Sequence, residues 1–376
     1  MKDPHVTNKG GGASTGPEAD VPAWSGPDME RVDGLTLLDF HPPMGDLHAD
    51  VERGLRGRTP GAAGDLPGRR IPPKWFYDER GSALFDAITE LEAYYPTRAE
   101  LEITRRYGDE IAQEIGPRPL VVEYGSGSSI KTRVLLDHLV EPVAYVPIDI
   151  SRDHLLASAH RLAEEYPTLE ILPICADYTK PLTIPTPQRT PGRRVIYFPG
   201  STIGNFTPAQ AVEFLRVAAA EAGVAGQLLI GVDLIKDESV LLPAYDDPQG
   251  VTAAFNKNLL TRINRELKTD FDPDAFEHRA AWRADEGLAR GRVEMHLVSR
   301  CAQTVHLDGE AYAFAEGEAL VTEYSYKYAP AAFAALAAEA GWSVRHLWTD
   351  SEGLFSVQLL DLVPQARDSQ SPEVMN

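Results

Sequence analysis

From Leu120 onward the chain alternates short apolar runs with helical periods, and few folds accept that alternation. The runs are LVVEYG (120–125), AYVPIDI (144–150), LEILPICADY (169–178), RRVIYFPG (193–200) and GQLLIGVDL (226–234). They are continuous rather than alternating, as in strands buried on both faces of a parallel sheet. Helical periods fill the gaps at 130–139, 151–166 and 207–223. Right-handed crossovers then make a doubly wound α/β sheet the outcome. The pattern breaks between 237 and 326, where an amphipathic helix (AAFNKNLLTRINREL) and strand-like stretches follow one another. It resumes with a helix (PAAFAALAAEAG) and two strands (SVRHLWTD and LFSVQLLDLV) suited to the closing antiparallel edge of the sheet. We therefore expect the doubly wound domain to comprise 98–236 plus 327–364. A smaller α+β domain, 60–97 plus 237–326, is inserted into it. Residues 1–33, rich in Gly, Pro, Ser and Asp and without hydrophobic period, read as a disordered tail.

Charge narrows the partners. Among 376 residues, 36 Lys and Arg stand against 56 Asp and Glu, a net charge of -20 that repels phosphate backbones and anionic lipid. Neither nucleic acid nor membrane is an expected partner. No apolar stretch is long enough for a span, no secretory signal is visible, and the two lone cysteines suit a reducing cytoplasm, the expected location. The two cysteines, Cys175 and Cys301, stand alone, with no metal-ligand spacing.

The ends of the apolar runs carry the chemistry. VVEYGSGSSIK (121–131) breaks into glycines and serines, a turn that lets a ligand lie against backbone N–H groups at a helix N-terminus. By itself Gly-x-Gly is weak, since any tight strand-to-helix turn can use it. Asp149 lies 24 residues beyond Gly125, near the offset at which an acid meets ribose hydroxyls, although it could equally cap the following helix. Asp177 and Tyr178 suit an adenine, the carboxylate accepting from the exocyclic amine and the ring packing on the base. Turn, acid and adenine site on three successive strand ends form a more specific set than any one of them. A dinucleotide wants a small third residue in Gly-x-Gly-x-x-Gly, where this chain has Ile130. S-adenosylmethionine has no phosphate to cradle and asks for a cation, which Lys131 offers. The fourth strand end, YFPGSTIGNFTP, places Gly200 and Asn205 at the same mouth, with Thr207 and Pro208 as cap and first turn of a helix. Asn205 can meet a substrate's amine or carboxylate, or serve as an ordinary turn residue.

These stretches, with KWFYDERGSALFDAIT, YYPTRAE, YDDPQGVTAAFNKNLLTRINREL and VTEYSYKY, resemble the L-histidine Nα-methyltransferases of ergothioneine biosynthesis from about Pro72 to about Leu362. The resemblance implies a class I methyltransferase sheet with an inserted substrate-binding domain. It also implies an enzyme that converts L-histidine to its betaine, hercynine, in three S-adenosylmethionine-dependent steps; apart from the resemblance, a monomer without metal is expected. By the same resemblance Gly125, Lys131, Asp149, Asp177, Tyr178 and Gly200 hold the donor. Lys131 would meet the methionyl carboxylate and Asp149 the ribose. Tyr178 stands where a phenylalanine is found in relatives. Asn205 and Tyr245 would hold the substrate carboxylate, and Tyr77 and Tyr94 would line the pocket near the amine as the catalytic pair. Met295, Glu323 and Ser325 would surround the imidazole. Physical reasoning agrees, because Glu323 and Ser325 at i and i+2 share one face of a strand and offer a ring with two nitrogens an acceptor and an adaptable hydroxyl. A solvated strand face has the same pattern. The rival readings are an N-methyltransferase of the same build acting on another amino acid such as tryptophan, whose indole has no second ring nitrogen for Glu323, and an adenosyl-ligand sensor without turnover.

Overall fold

The computed structural model of the protein describes residues 28–40, 47–57, 69–127, 130–285 and 287–363. In chain order its strands are β1 (Asp28–Val32), β2 (Leu35–Asp39), β3 (Arg69–Arg70), β4 (Pro119–Tyr124), β5 (Ala144–Asp149), β6 (Glu170–Ile171), β7 (Ile174–Cys175) and β8 (Arg193–Phe198). They continue with β9 (Gln227–Asp233), β10 (Phe276–Asp285), β11 (Arg290–Ser299), β12 (Gln303–Leu307), β13 (Glu310–Phe314), β14 (Ala319–Tyr328), β15 (Trp342–Thr349) and β16 (Phe355–Leu362). The helices are α1 (Leu47–Leu55), α2 (Glu79–Thr89), α3 (Tyr95–Ile115), α4 (Ile130–His138), α5 (Arg152–Glu165), α6 (Pro208–Ala222), α7 (Glu238–Tyr245), α8 (Val251–Leu267) and α9 (Pro330–Ala338).

The large sheet runs β1-β2-β7-β5-β4-β8-β9-β16-β15. Pairing is parallel from β2 to β9 and antiparallel at both ends. Every residue of β4 and β9 is buried, as helices on both faces of a parallel sheet require. From β4 the chain builds β5 and β7 to one side, then crosses to build β8 and β9 on the other. Strand order therefore reverses between β4 and β8, and the carboxyl ends of such a pair flank the crevice where α/β sheets bind ligands. This is the doubly wound class I methyltransferase sheet expected from the sequence.

A second sheet, β10-β11-β14-β3, is covered by α7 and α8. Its strand β14 has two different faces. Tyr324, Tyr326 and Tyr328 join the core of the large sheet, whereas Leu320 packs with Val293, Met295, Leu297 and Phe255 in the core of the smaller unit. A parallel bridge between Leu234 and Tyr328, with the Ile235 N–H donating to the Tyr328 carbonyl at 3.2 Å, joins the two sheets directly.

Three expectations need correction at their edges. Residues 28–32 are not tail but strand β1, paired with β2 on an edge of the large sheet, and residues 1–27 lie outside the described chain. Because β14 runs unbroken to Tyr328, the boundary drawn at 326/327 cuts through a strand. The α1 helix, upstream of residue 60, packs Leu47, Val51 and Leu55 into the smaller unit's core. In the first case the strand is too short to show a period, whereas α1 carries Leu47, Val51 and Leu55 at helical spacing and joins the smaller unit only through tertiary packing. Cap chemistry was legible: Thr207 and Gln210 form a reciprocal capping box at α6 with Pro208 in its first turn.

Beneath the glycine turn, Glu123 of β4 is 2% exposed and accepts from Thr132 Oγ1 and Tyr145 Oη, both at 2.6 Å, tying α4 and β5 to the central strand. Burial outweighs these bonds and pushes its carboxyl from 4.5 up to about 8. The folded chain therefore holds this proton where the unfolded chain has released it, and stability falls as pH rises from about 4.5 to about 8. In Glu123→Gln, urea midpoints measured across that range should lose much of this decline, with a gain over the parent at the alkaline end.

Candidate active site

The crevice between β4 and β8 is lined by backbone that only small residues can adopt. Gly125, at φ +69°, donates to the Ile148 carbonyl at 2.8 Å, and a Cβ built on it would stand 3.7 Å from the Tyr178 ring. Tyr178 stacks on buried Tyr124, with centroids 5.6 Å apart and planes at 16°. Asp149 ends β5, accepting from the Ser151 N–H at 2.9 Å and from the Gly127 N–H at 3.3 Å. Its carboxylate thus ties the glycine turn to the residue before α5, but Ser151 is the N-cap of that helix and carries no side-chain cap bond, so Asp149 is not the helix cap that the sequence offered as an alternative. Asp177 Oδ1 accepts from the Thr179 N–H and hydroxyl at 3.0 and 2.6 Å, a local turn that orients the carboxyl. Ser128 and Ser129 lie outside the described residues.

On the other side of the crevice, Gly200 has φ +77°. Its N–H donates to both oxygens of Glu100, at 3.1 and 2.9 Å, and Lys131 Nζ lies 2.5 Å from the same carboxylate. Lys131 is therefore no open cation at the mouth, as the sequence alone had it, but one tethered by a carboxylate that α3 brings in at 1% exposure. Sequence reading missed Glu100 because a helical glutamate reads as solvated surface until the helix is packed. Asn205 is half-buried at the end of a short 3-10 turn (Thr202–Asn205). Gly204 in that turn lies against the backbone of β14, where an added Cβ would meet the Tyr326 carbonyl oxygen at 2.8 Å.

The smaller unit supplies a second cluster. Glu323 stands opposite Met295 in the β11–β14 register, beside an irregularity between Met295 and His296, and both side chains are buried. Burial pushes the Glu323 carboxyl from 4.5 up to about 7 against the pull of Lys327. Ser325 Oγ is 2.8 Å from Tyr245 Oη. Lys327 donates to both oxygens, at 2.9 Å to Ser325 and 2.7 Å to Tyr245. Its ammonium pairs with Asp233 at 2.5 Å, and Lys236 pairs with the other oxygen of Asp233 at 2.6 Å. Tyr95 donates to the same carboxylate at 2.8 Å. Burial acts to raise Asp233, but the two ammonium groups hold it below its ordinary value.

Tyr77 and Tyr94 stand between the clusters. The Tyr94 ring lies edge-on to Tyr245 at 6.3 Å, and Phe85 connects it to Tyr77, 6.3 Å from Tyr94 and 5.6 Å from Tyr77. Burial drives both phenols well above their ordinary value. Glu323, Tyr178 and Asp149 add to the effect at Tyr77, and Tyr245, Glu323, Asp233 and Glu100 add to it at Tyr94. Each phenol thus lies within electrostatic reach of both ends of the site and stays neutral near pH 7. The turn carrying Tyr77 is anchored by Asp78, which caps α2 through the Gly81 N–H at 2.8 Å and accepts from Asn258 at 2.8 Å. Among the described residues no group of three His, Cys, Asp or Glu side chains is placed to hold a metal.

Known proteins match this chain along most of its length. It is 46% identical over 320 residues to a histidine N-alpha-methyltransferase of Mycolicibacterium smegmatis, covering 83% of this chain and 94% of that protein. Identity is 44%, with the same shares covered, to a protein of the same description from Mycobacterium tuberculosis. To the ergothioneine biosynthesis protein 1 of Schizosaccharomyces pombe it is 29%, covering 69% of this chain and 34% of that one. The family described as histidine-specific methyltransferase, SAM-dependent, matches residues 47–362. With a doubly wound sheet whose switch point carries the glycine turns, and a match across nearly all of the described residues, the chain belongs to the histidine-specific, S-adenosylmethionine-dependent methyltransferase family.

Proposed function

We propose that this protein trimethylates the α-amino group of L-histidine to give hercynine, with Gly125, Lys131, Asp149, Asp177, Tyr178 and Gly200 as the donor side and Asn205, Tyr245, Met295, Glu323 and Ser325 as the substrate side. One observation carries the reading. A buried carboxylate and a buried hydroxyl two residues apart on β14 face the smaller unit's core, and two neutral tyrosines separate them from the turn at the β4/β8 switch point. The crevice fits S-adenosylmethionine on this chain's own chemistry. A backbone open at Gly125 beside an aromatic face suits an adenosyl group, and the tethered ammonium of Lys131 suits a carboxylate.

When bound, the donor supplies an activated methyl group on a sulfonium, so the protein has positioning left to do. The amine must be unprotonated, in line with the methyl carbon, and shielded from water. Tyr77 and Tyr94, held neutral, are hydrogen-bonding guides for the amine lone pair rather than bases. The aromatic wall of Tyr77, Phe85, Tyr94 and Tyr245 also suits a nitrogen whose cationic charge becomes permanent with the third methyl group. Glu323 and Ser325 would meet the imidazole, and Asn205 and Tyr245 the carboxylate.

Mass spectrometry of the protein incubated with S-adenosylmethionine and an equimolar mixture of the twenty amino acids tests the reading. Histidine should gain three methyl groups and the others none, whereas methylation of another amino acid would overturn the assignment of Glu323 and Ser325. Two variants separate the ends of the site. In Glu323→Ala the histidine KM should rise by about tenfold or more, as expected for a lost bond to a charged group, with donor Kd nearly intact. Asp149→Ala should do the reverse, and isothermal titration with each ligand distinguishes them. Equal loss of both affinities in Glu323→Ala would remove that residue from the substrate end.

A further inference from the structure

Lys327 lies two residues beyond Ser325 on the same face of β14, at 0% exposure, and no reading of the sequence gave it a part. An ammonium has three protons and no lone pair. Those of Lys327 have three oxygens to go to: Asp233 Oδ2 at 2.5 Å, Tyr245 Oη at 2.7 Å and Ser325 Oγ at 2.9 Å. The two hydroxyl oxygens are themselves 2.8 Å apart, a separation that needs a proton between them. Tyr245 and Ser325 bring one hydroxyl proton each, and Tyr245 keeps its own because burial holds the phenol well above its ordinary value. One proton occupies the bridge. A single proton is left for anything bound beside the pair.

We propose that Lys327 is a positioning residue for substrate recognition: by donating to both oxygens of the Tyr245–Ser325 pair, it makes one of them a donor to the ligand and the other an acceptor. This rests on the histidine reading above and deepens it. With Tyr245 donating to the substrate carboxylate, Ser325 donates into the bridge and turns a lone pair toward the ring. Ser325 and Glu323 then form an acceptor pair on one strand face, a pocket that selects a ring carrying N–H groups. Asp233 keeps the ammonium in place, and Lys236 on its other oxygen leaves that carboxylate paired when Lys327 is replaced. Lys327→Met therefore removes the donor without stranding a buried charge, the usual reason such a change unfolds a protein.

The test is a mutant cycle on the full-length protein, with histidine KM, kcat and donor Kd as readouts. The variants are Lys327→Met, Lys327→Gln, the Tyr245→Phe/Ser325→Ala pair, and Lys327→Met added to that pair. Histidine turnover by the parent protein comes first, and its absence would sink the functional reading independently of Lys327. In Lys327→Met the histidine KM should rise about tenfold or more while donor Kd changes by no more than about twofold. Lys327→Gln, which keeps N–H donors, should recover part of the loss. Added to the hydroxyl-less pair, Lys327→Met should cost far less than it does alone, because residues that act through the same bonds are not additive, and what remains reflects its pull on Glu323. The proposal is overturned by an unchanged KM, by an equal loss of donor affinity, or by a full additional cost on top of the pair. A donor-induced rise in Tm shows that each variant is folded, and if Lys327→Met lacks it, Lys327→Gln carries the same comparisons.

Discussion

The buried carboxylate of Asp233 is the interaction on which the rest of the site depends. It ends β9 at the top of the large sheet, and it draws together Lys327 from β14, Lys236 from the segment after β9 and Tyr95 from the start of α3. Its own N–H donates to Ser201 Oγ at 2.9 Å, in the loop that also carries Gly200. Four pieces of chain from two sheets therefore meet at one group. Buried ion pairs contribute little net stability, since the desolvation of each charge offsets most of the attraction. What they impose is geometry, because a charge without its partner inside the fold is costly.

Glu100 does the same for the donor side. By taking the N–H of Gly200 and the ammonium of Lys131 together, it couples the strand end at β8 to the first turn of α4 across the crevice. Both anchors depend on α3, which contributes Tyr95 at its first residue and Glu100 five residues later. The helix is thus a strut between the large sheet and the smaller unit. Tyr94, immediately before it, is held by the same packing.

Within this frame the polar groups divide by neighbourhood. Carboxyls with no cation close enough, Glu123 and Glu323, are pushed up by burial to about 8 and about 7, whereas Asp233, between two ammonium groups, is held down. Carboxyl groups thereby yield a structural acid at Glu123, a group poised near neutrality at Glu323 and an anion that keeps its charge at Asp233. The phenols stay neutral throughout, which suits them to orient an amine and to face a cation.

Sequence by itself determined the sheet and named the candidate residues for the proposed site. Continuous apolar runs, glycine turns at their ends and an i, i+2 pair on a strand are local patterns, and Gly125, Asp149, Tyr178, Gly200, Glu323 and Ser325 were named from such patterns or from motifs that contain them. Local order could not show Glu100, Asp233, Lys236 or Lys327, whose roles exist only where α3, β9 and β14 converge. Lys327 and Asp233 are 94 residues apart in sequence and 2.5 Å apart in space. Nor could it show that β1 completes the large sheet, since a five-residue strand has too little pattern to be distinguished from a polar tail. Only the tertiary structure decides which charged side chains leave water, because the cost of burying a charge is met by partners that lie elsewhere in the chain.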